Sequence, residues 1–120
     1  MKKLFLSSSF ADVADLLPLF EKSLAGKTVS FIPTASTVEK VTFYVQAGKK
    51  ALERLGMKID VLELVSESSD TILRKIAAND CIYVSGGNTF FLLQELKRTG
   101  ADAVIVRAVQ DGKLYIGESA

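Results

Sequence analysis

The sequence contains no histidine, no tryptophan, one cysteine and two prolines among 120 residues. Each scarcity excludes something. Without histidine these residues cannot assemble a Ser-His pair by themselves, and most zinc sites are excluded with it. A single cysteine cannot form an internal disulfide and fits a reducing cytoplasm. An excess of either charge is also missing. The formal net charge is +1, and lysine and arginine are scattered along the chain. Neither a nucleic-acid surface nor a membrane surface is indicated. No apolar run approaches the roughly 18 residues that a transmembrane helix needs. Met1-Lys2-Lys3-Leu4-Phe5-Leu6 begins like a signal peptide, but the polar Ser7-Ser8-Ser9 interrupts the apolar stretch too early.

What remains is the composition of a globular protein, with 48% hydrophobic and 24% charged residues. A chain of 120 residues is one domain and can bury about 65% of its unfolded surface. Five short segments read as strands: Lys3 to Ser7, Thr28 to Ile32, Met57 to Leu64, Cys81 to Val84, and Leu114 to Ile116. The third alternates apolar and polar residues and is expected at a sheet edge. The fourth is apolar on both faces and is expected at the centre.

Between the strands, apolar residues recur at helical spacing. Val13, Leu16, Leu17, Phe20 and Leu24 mark a first helix, which Pro18 kinks or divides. Ser9 is placed to cap it. Val41, Tyr44, Val45, Leu52 and Leu55 mark a second helix from about Glu39 to Leu55, with Lys49, Lys50, Glu53 and Arg54 on its solvated side. A third runs to Ala78, capped by Ser69 or Asp70. Two more, Phe90 to Arg98 and Ala101 to Gln110, precede the last strand.

This alternation predicts an α/β fold: three layers, with a mostly parallel sheet of about five strands and helices on both faces. The expected strand order is 3-2-1-4-5. Ligands would then bind at the carboxyl ends of the strands, in the crevice between the first and fourth.

Two stretches at those ends can carry chemistry. Gly117-Glu118-Ser119-Ala120 fits the first four positions of G-x-S-x-G, in which a serine sits on a sharp strand-to-helix turn with its hydroxyl exposed. Ser85-Gly86-Gly87-Asn88 is a glycine turn opening onto a helix. Its N–H groups, with that of Ala120, are placed to receive an oxyanion. A capped structural turn is the alternative reading of the glycines. Cys81, inside an apolar strand, reads as a buried structural thiol. Ser7, Ser8, Thr34, Ser36 and Thr37 line the crevice or serve as turn and capping residues.

Three stretches together, Phe31-Ile32-Pro33-Thr34-Ala35-Ser36, Ser85-Gly86-Gly87-Asn88-Thr89-Phe90 and Ile116-Gly117-Glu118-Ser119-Ala120, resemble the peptidase E family of serine peptidases in residues, order and separation. The resemblance covers the whole chain and implies a fold like that of class I glutamine amidotransferases. It implies a cytoplasmic enzyme that hydrolyses dipeptides with N-terminal aspartate, without metal or cofactor. Ser119 would be the nucleophile, and Gly86, Gly87 and Asn88 the oxyanion region.

The family's histidine and acidic partner follow the elbow. Residues 1–120 are therefore expected to be the N-terminal part of a single hydrolase-type domain, inactive alone. The Leu114 to Ile116 strand is expected as an open edge, causing aggregation, homo-oligomerisation or association with a C-terminal half. The alternative function is a non-catalytic α/β module that binds a small ligand or a partner. An amidotransferase-like reading is disfavoured, because those enzymes carry cysteine where Ser119 stands.

Overall fold

The computed structural model describes residues 2–40 and 42–118. Its centre is a five-stranded parallel sheet in the order β1-β5-β4-β2-β3. The strands are β1 (Lys3–Ser7), β2 (Thr28–Ile32), β3 (Lys58–Val61), β4 (Cys81–Val84) and β5 (Leu114–Glu118). The expected fold class holds, and β4 and β5 are hydrogen-bonded neighbours in register from Cys81–Leu114 to Val84–Gly117.

The expected order does not hold. β1 lies at the margin beside β5, and β2 pairs with β4. Hydrophobic content misled here. β1 is as apolar as a central strand, yet Leu4 and Leu6 are 47% and 67% exposed while Phe5 packs inward. β4 is buried at every position. The open edge is accordingly β1; β5 is flanked on both sides. β3 is at the other margin, as its alternation predicts, but ends at Val61 rather than Leu64.

Helices cover both faces. α1 (Phe10–Val13), α2 (Leu17–Phe20) and α3 (Phe43–Arg54) pack on one face over Phe31, Tyr83, Leu114 and Ile116. α4 (Ser69–Ala78), α5 (Thr89–Thr99) and α6 (Ala101–Gln110) pack on the other over Ile32, Ile82 and Val84. The chain steps one way along the sheet over the first face and back over the second, as a constant crossover hand requires. β2 and β4 are the neighbours whose connections leave toward opposite faces, so the crevice expected between the first and fourth strands lies between β2 and β4.

Local chemistry sets the helix limits. Pro18 does divide the first helical stretch. It sits in the first turn of α2, where its missing N–H costs nothing, and a 3-10 turn, Ala14–Leu16, joins α1 to α2. α3 is shorter than its periodicity suggests, and Val41 lies outside the described residues. The cap of α4 is Ser68, whose hydroxyl accepts the Thr71 N–H at 3.2 Å, rather than Ser69 or Asp70. Lys113 Nζ closes the other end of α4 by donating to the Ile76 and Ala77 carbonyls. Among the described residues no helix is long and apolar enough to cross a membrane.

Candidate active site

The connections after β1 and β4 and the end of β5 border one cleft of about 630 Å³. Ser8 and Ser9 follow β1, Gly86 and Gly87 follow β4, Glu118 ends β5, and Phe43 and Tyr44 of α3 close the far wall. A larger groove of about 700 Å³ lies between α4 and α6 over Lys113, at the amino ends of the strands. It is mostly apolar, with no serine, threonine, cysteine or tyrosine in its lining, so the first cleft is the candidate site.

Gly86 and Gly87 sit where the sequence places them. Gly87 has φ +142°, and a Cβ there would collide with the Ala35 carbonyl and lie 2.8 Å from Ser36 N. Glycine is therefore required by both conformation and space. Asn88 N–H donates to Ala35 O at 2.7 Å, tying the glycine turn to the loop after β2. Among the described residues no backbone acceptor takes the N–H of Gly86 or Gly87, and both residues line the cleft.

Asn88 Oδ1 accepts the Phe91 N–H at 2.8 Å and so caps α5. Asn88→Ala is expected to cost about 1 kcal/mol of stability, read as a lower urea midpoint with an unchanged slope. An equal loss in Asn88→Asp, which keeps a cap acceptor, would argue against the capping role.

The loop after β2 is itself anchored. Thr34 and Thr37 hydroxyls donate to Glu63 at 2.6 and 2.9 Å, and Ser36 Oγ donates to Pro33 O at 2.7 Å. These residues thus hold the turn against which Gly87 packs, and Ser8 lines the cleft. Cys81 is 2% exposed, and burial pushes its thiol pKa up to about 11, as a structural thiol requires. Ser119 and Ala120 lie outside the described residues. The path to them is fixed as far as Gly117, which pairs with both Leu6 and Val84, and Glu118, which pairs with Ser7.

Glu118 was not singled out by the sequence. It ends an otherwise apolar strand half-buried, its carboxylate accepting the Tyr83 O–H and the Phe10 N–H. A charged residue at the inward end of a buried strand was the available signal. The cleft is negative: Asp12, Glu39 and Glu118 line it, with no lysine or arginine among the lining residues. Tyr44 registers this, its hydroxyl pKa raised first by burial and then by the charges of Glu39 and Glu118.

The model of peptidase family S51 matches residues 4–120. The chain belongs to this family. Over all 120 residues it is 65% identical to the uncharacterized peptidase Lmo0363 of Listeria monocytogenes and spans 58% of that protein. It is 34% identical to peptidase E of Citrobacter koseri and spans 53% of it. A solved structure from Listeria monocytogenes EGD-e that carries a peptidase E name superposes with a TM-score of 0.97 at 65% identity, covering 99% of this chain and 59% of that one. A peptidase from an acI-B1 Actinobacterium, 22% identical with a TM-score of 0.67, shares the fold over 98% of this chain and 54% of its own. The chain thus spans a little over half the length of the curated S51 relatives it matches. Gly86 and Gly87, just after β4, and Glu118, at the end of the adjacent β5, line one cleft.

Proposed function

We propose that the complete protein is a serine-type peptidase that hydrolyses dipeptides with N-terminal aspartate through an acyl-enzyme on Ser119. One observation carries this beyond family membership. The glycine turn after β4 lines the cleft beside the neighbouring strand that leads directly into Ser119. Ser119 Oγ attacks the scissile carbonyl. Gly86, Gly87 and Ala120 N–H groups receive the developing oxyanion, and Asn88 holds the turn. The proton passes to a base outside these 120 residues, because the sequence has no histidine. On this reading residues 1–120 are inactive alone.

Asp12 and Glu39 on the wall of the cleft suit the free α-ammonium of a dipeptide. The cation that reads the aspartate side chain must come from elsewhere in the complete protein, since the cleft lining has none. The reading is tested by offering the complete protein Asp-X, Leu-X and acetyl-Asp-X substrates, and by mass spectrometry after a serine-directed fluorophosphonate. Asp-X turnover, with the phosphonate on Ser119, is expected. Absence of both turnover and label would leave a non-catalytic binding module.

A further inference from the structure

The carboxylate of Glu118 turns back into the fold. Oε1 accepts the Tyr83 O–H at 2.5 Å, and Oε2 accepts the Phe10 N–H at 2.9 Å. Both donors are fixed. Tyr83 is 0% exposed, stacked on Phe31 with ring centroids 4.7 Å apart and edge-on to Phe10 at 5.4 Å. Burial, and then the bond to Glu118, pushes its hydroxyl pKa far above the usual tyrosine range, so it stays a donor. Gly48 of α3 leaves room for the pair, because a Cβ there would collide with the Tyr83 hydroxyl. Ser9 precedes α1, but its hydroxyl makes no capping bond; Glu118 supplies the acceptor for the Phe10 N–H in its place.

We propose that Glu118 is a positioning residue for Ser119. Its two oxygens fasten the end of β5 to Tyr83 on β4 and to Phe10 at the start of α1, which fixes where the strand gives way to the nucleophile's turn. This rests on the reading of Ser119 as nucleophile. With both oxygens engaged by buried or backbone donors, Glu118 is not the base. It thereby sets the position from which the chain leaves β5 toward Ser119, and charge-assisted bonds of this kind are the strong ones. A misplacement of about 1 Å can cost on the order of 10²-fold in rate.

The test compares Glu118→Ala, Glu118→Gln and Tyr83→Phe in the complete protein. Four quantities are measured: kcat and KM for Asp-X, the rate of fluorophosphonate labelling at Ser119, and hydrogen exchange at the Phe10 amide. Glu118→Ala should lower kcat and labelling by about 10²-fold, leave KM little changed and speed Phe10 exchange. Glutamine should restore part of the rate. Its oxygen can accept the Phe10 N–H while its NH₂ donates to the Tyr83 oxygen. Tyr83→Phe should fall between, because the Phe10 arm survives.

A folded Glu118→Ala with unchanged kcat and labelling overturns the proposal. So does a rise in KM at constant kcat, which would make Glu118 a substrate-binding group. If Glu118→Ala does not fold, Tyr83→Phe decides by the same readouts. Failure of the functional reading looks different: the label falls on another residue, or Ser119→Ala keeps turnover. Either result removes the positioning role, while faster Phe10 exchange would still report the clamp itself.

Discussion

Ser119→Ala in the complete protein is expected to lower Asp-X turnover by on the order of 10⁴- to 10⁶-fold, the range for loss of a serine nucleophile. The size of the effect follows from what alanine removes. On the proposed mechanism the hydroxyl oxygen forms the acyl bond. Cys81, the one thiol in the sequence, is buried within β4. The residual rate would come from the oxyanion donors and from binding. Folding should survive, because the lost group is one oxygen and the strand leading to it is held by Gly117 and Glu118 on both neighbouring strands. Thermal unfolding and kinetics on the same preparation check both halves. Turnover at the unmutated rate, with folding intact, would show that Ser119 is not the nucleophile.

Much of the architecture was legible in the sequence, for identifiable reasons. β4 is buried at all positions, and its run of Cys81-Ile82-Tyr83-Val84 reads as a central strand because both faces are apolar. β3 alternates and lies at an edge. β1 shows where such reasoning fails. An apolar strand is compatible with the centre of a sheet and equally with a margin that leaves Leu4 and Leu6 exposed. Local pattern fixes neither, and the order depends on which face each crossover uses.

The site was legible in the same uneven way. The glycines at 86 and 87 announce themselves, because only backbone that must approach something closely, or adopt positive φ, needs two in succession. The acceptor that caps α1 did not. Ser9 has the right residue type at the right place, but the bond comes from Glu118, 108 residues away from Phe10. No periodicity encodes a contact at that separation.

Gly87→Ala is the other substitution expected to have a large effect, and stability is where it should appear first. Two costs combine. The backbone has φ +142°, a conformation that L side chains rarely adopt. The added methyl also meets the carbonyl of Ala35 and the backbone N of Ser36. Those atoms cannot retreat freely. Ala35 is 0% exposed, its carbonyl accepts the Asn88 N–H at 2.7 Å, and Glu63 holds Thr34 and Thr37 on either side. Strain of about 1–3 kcal/mol and overpacking of about 1–3 kcal/mol together take a large share of a typical domain stability of roughly 5–15 kcal/mol. A fall in Tm of about 10 °C or more is expected. Gly26→Ala is the control. It has φ +83° with nothing within 4 Å of the added carbon, so it carries the strain without the collision. If Gly87→Ala lowers Tm no further than Gly26→Ala, the close approach to Ala35 is not what requires glycine. If it lowers Tm further, the turn that offers its N–H groups to the cleft is held open by the packing of one loop against the other.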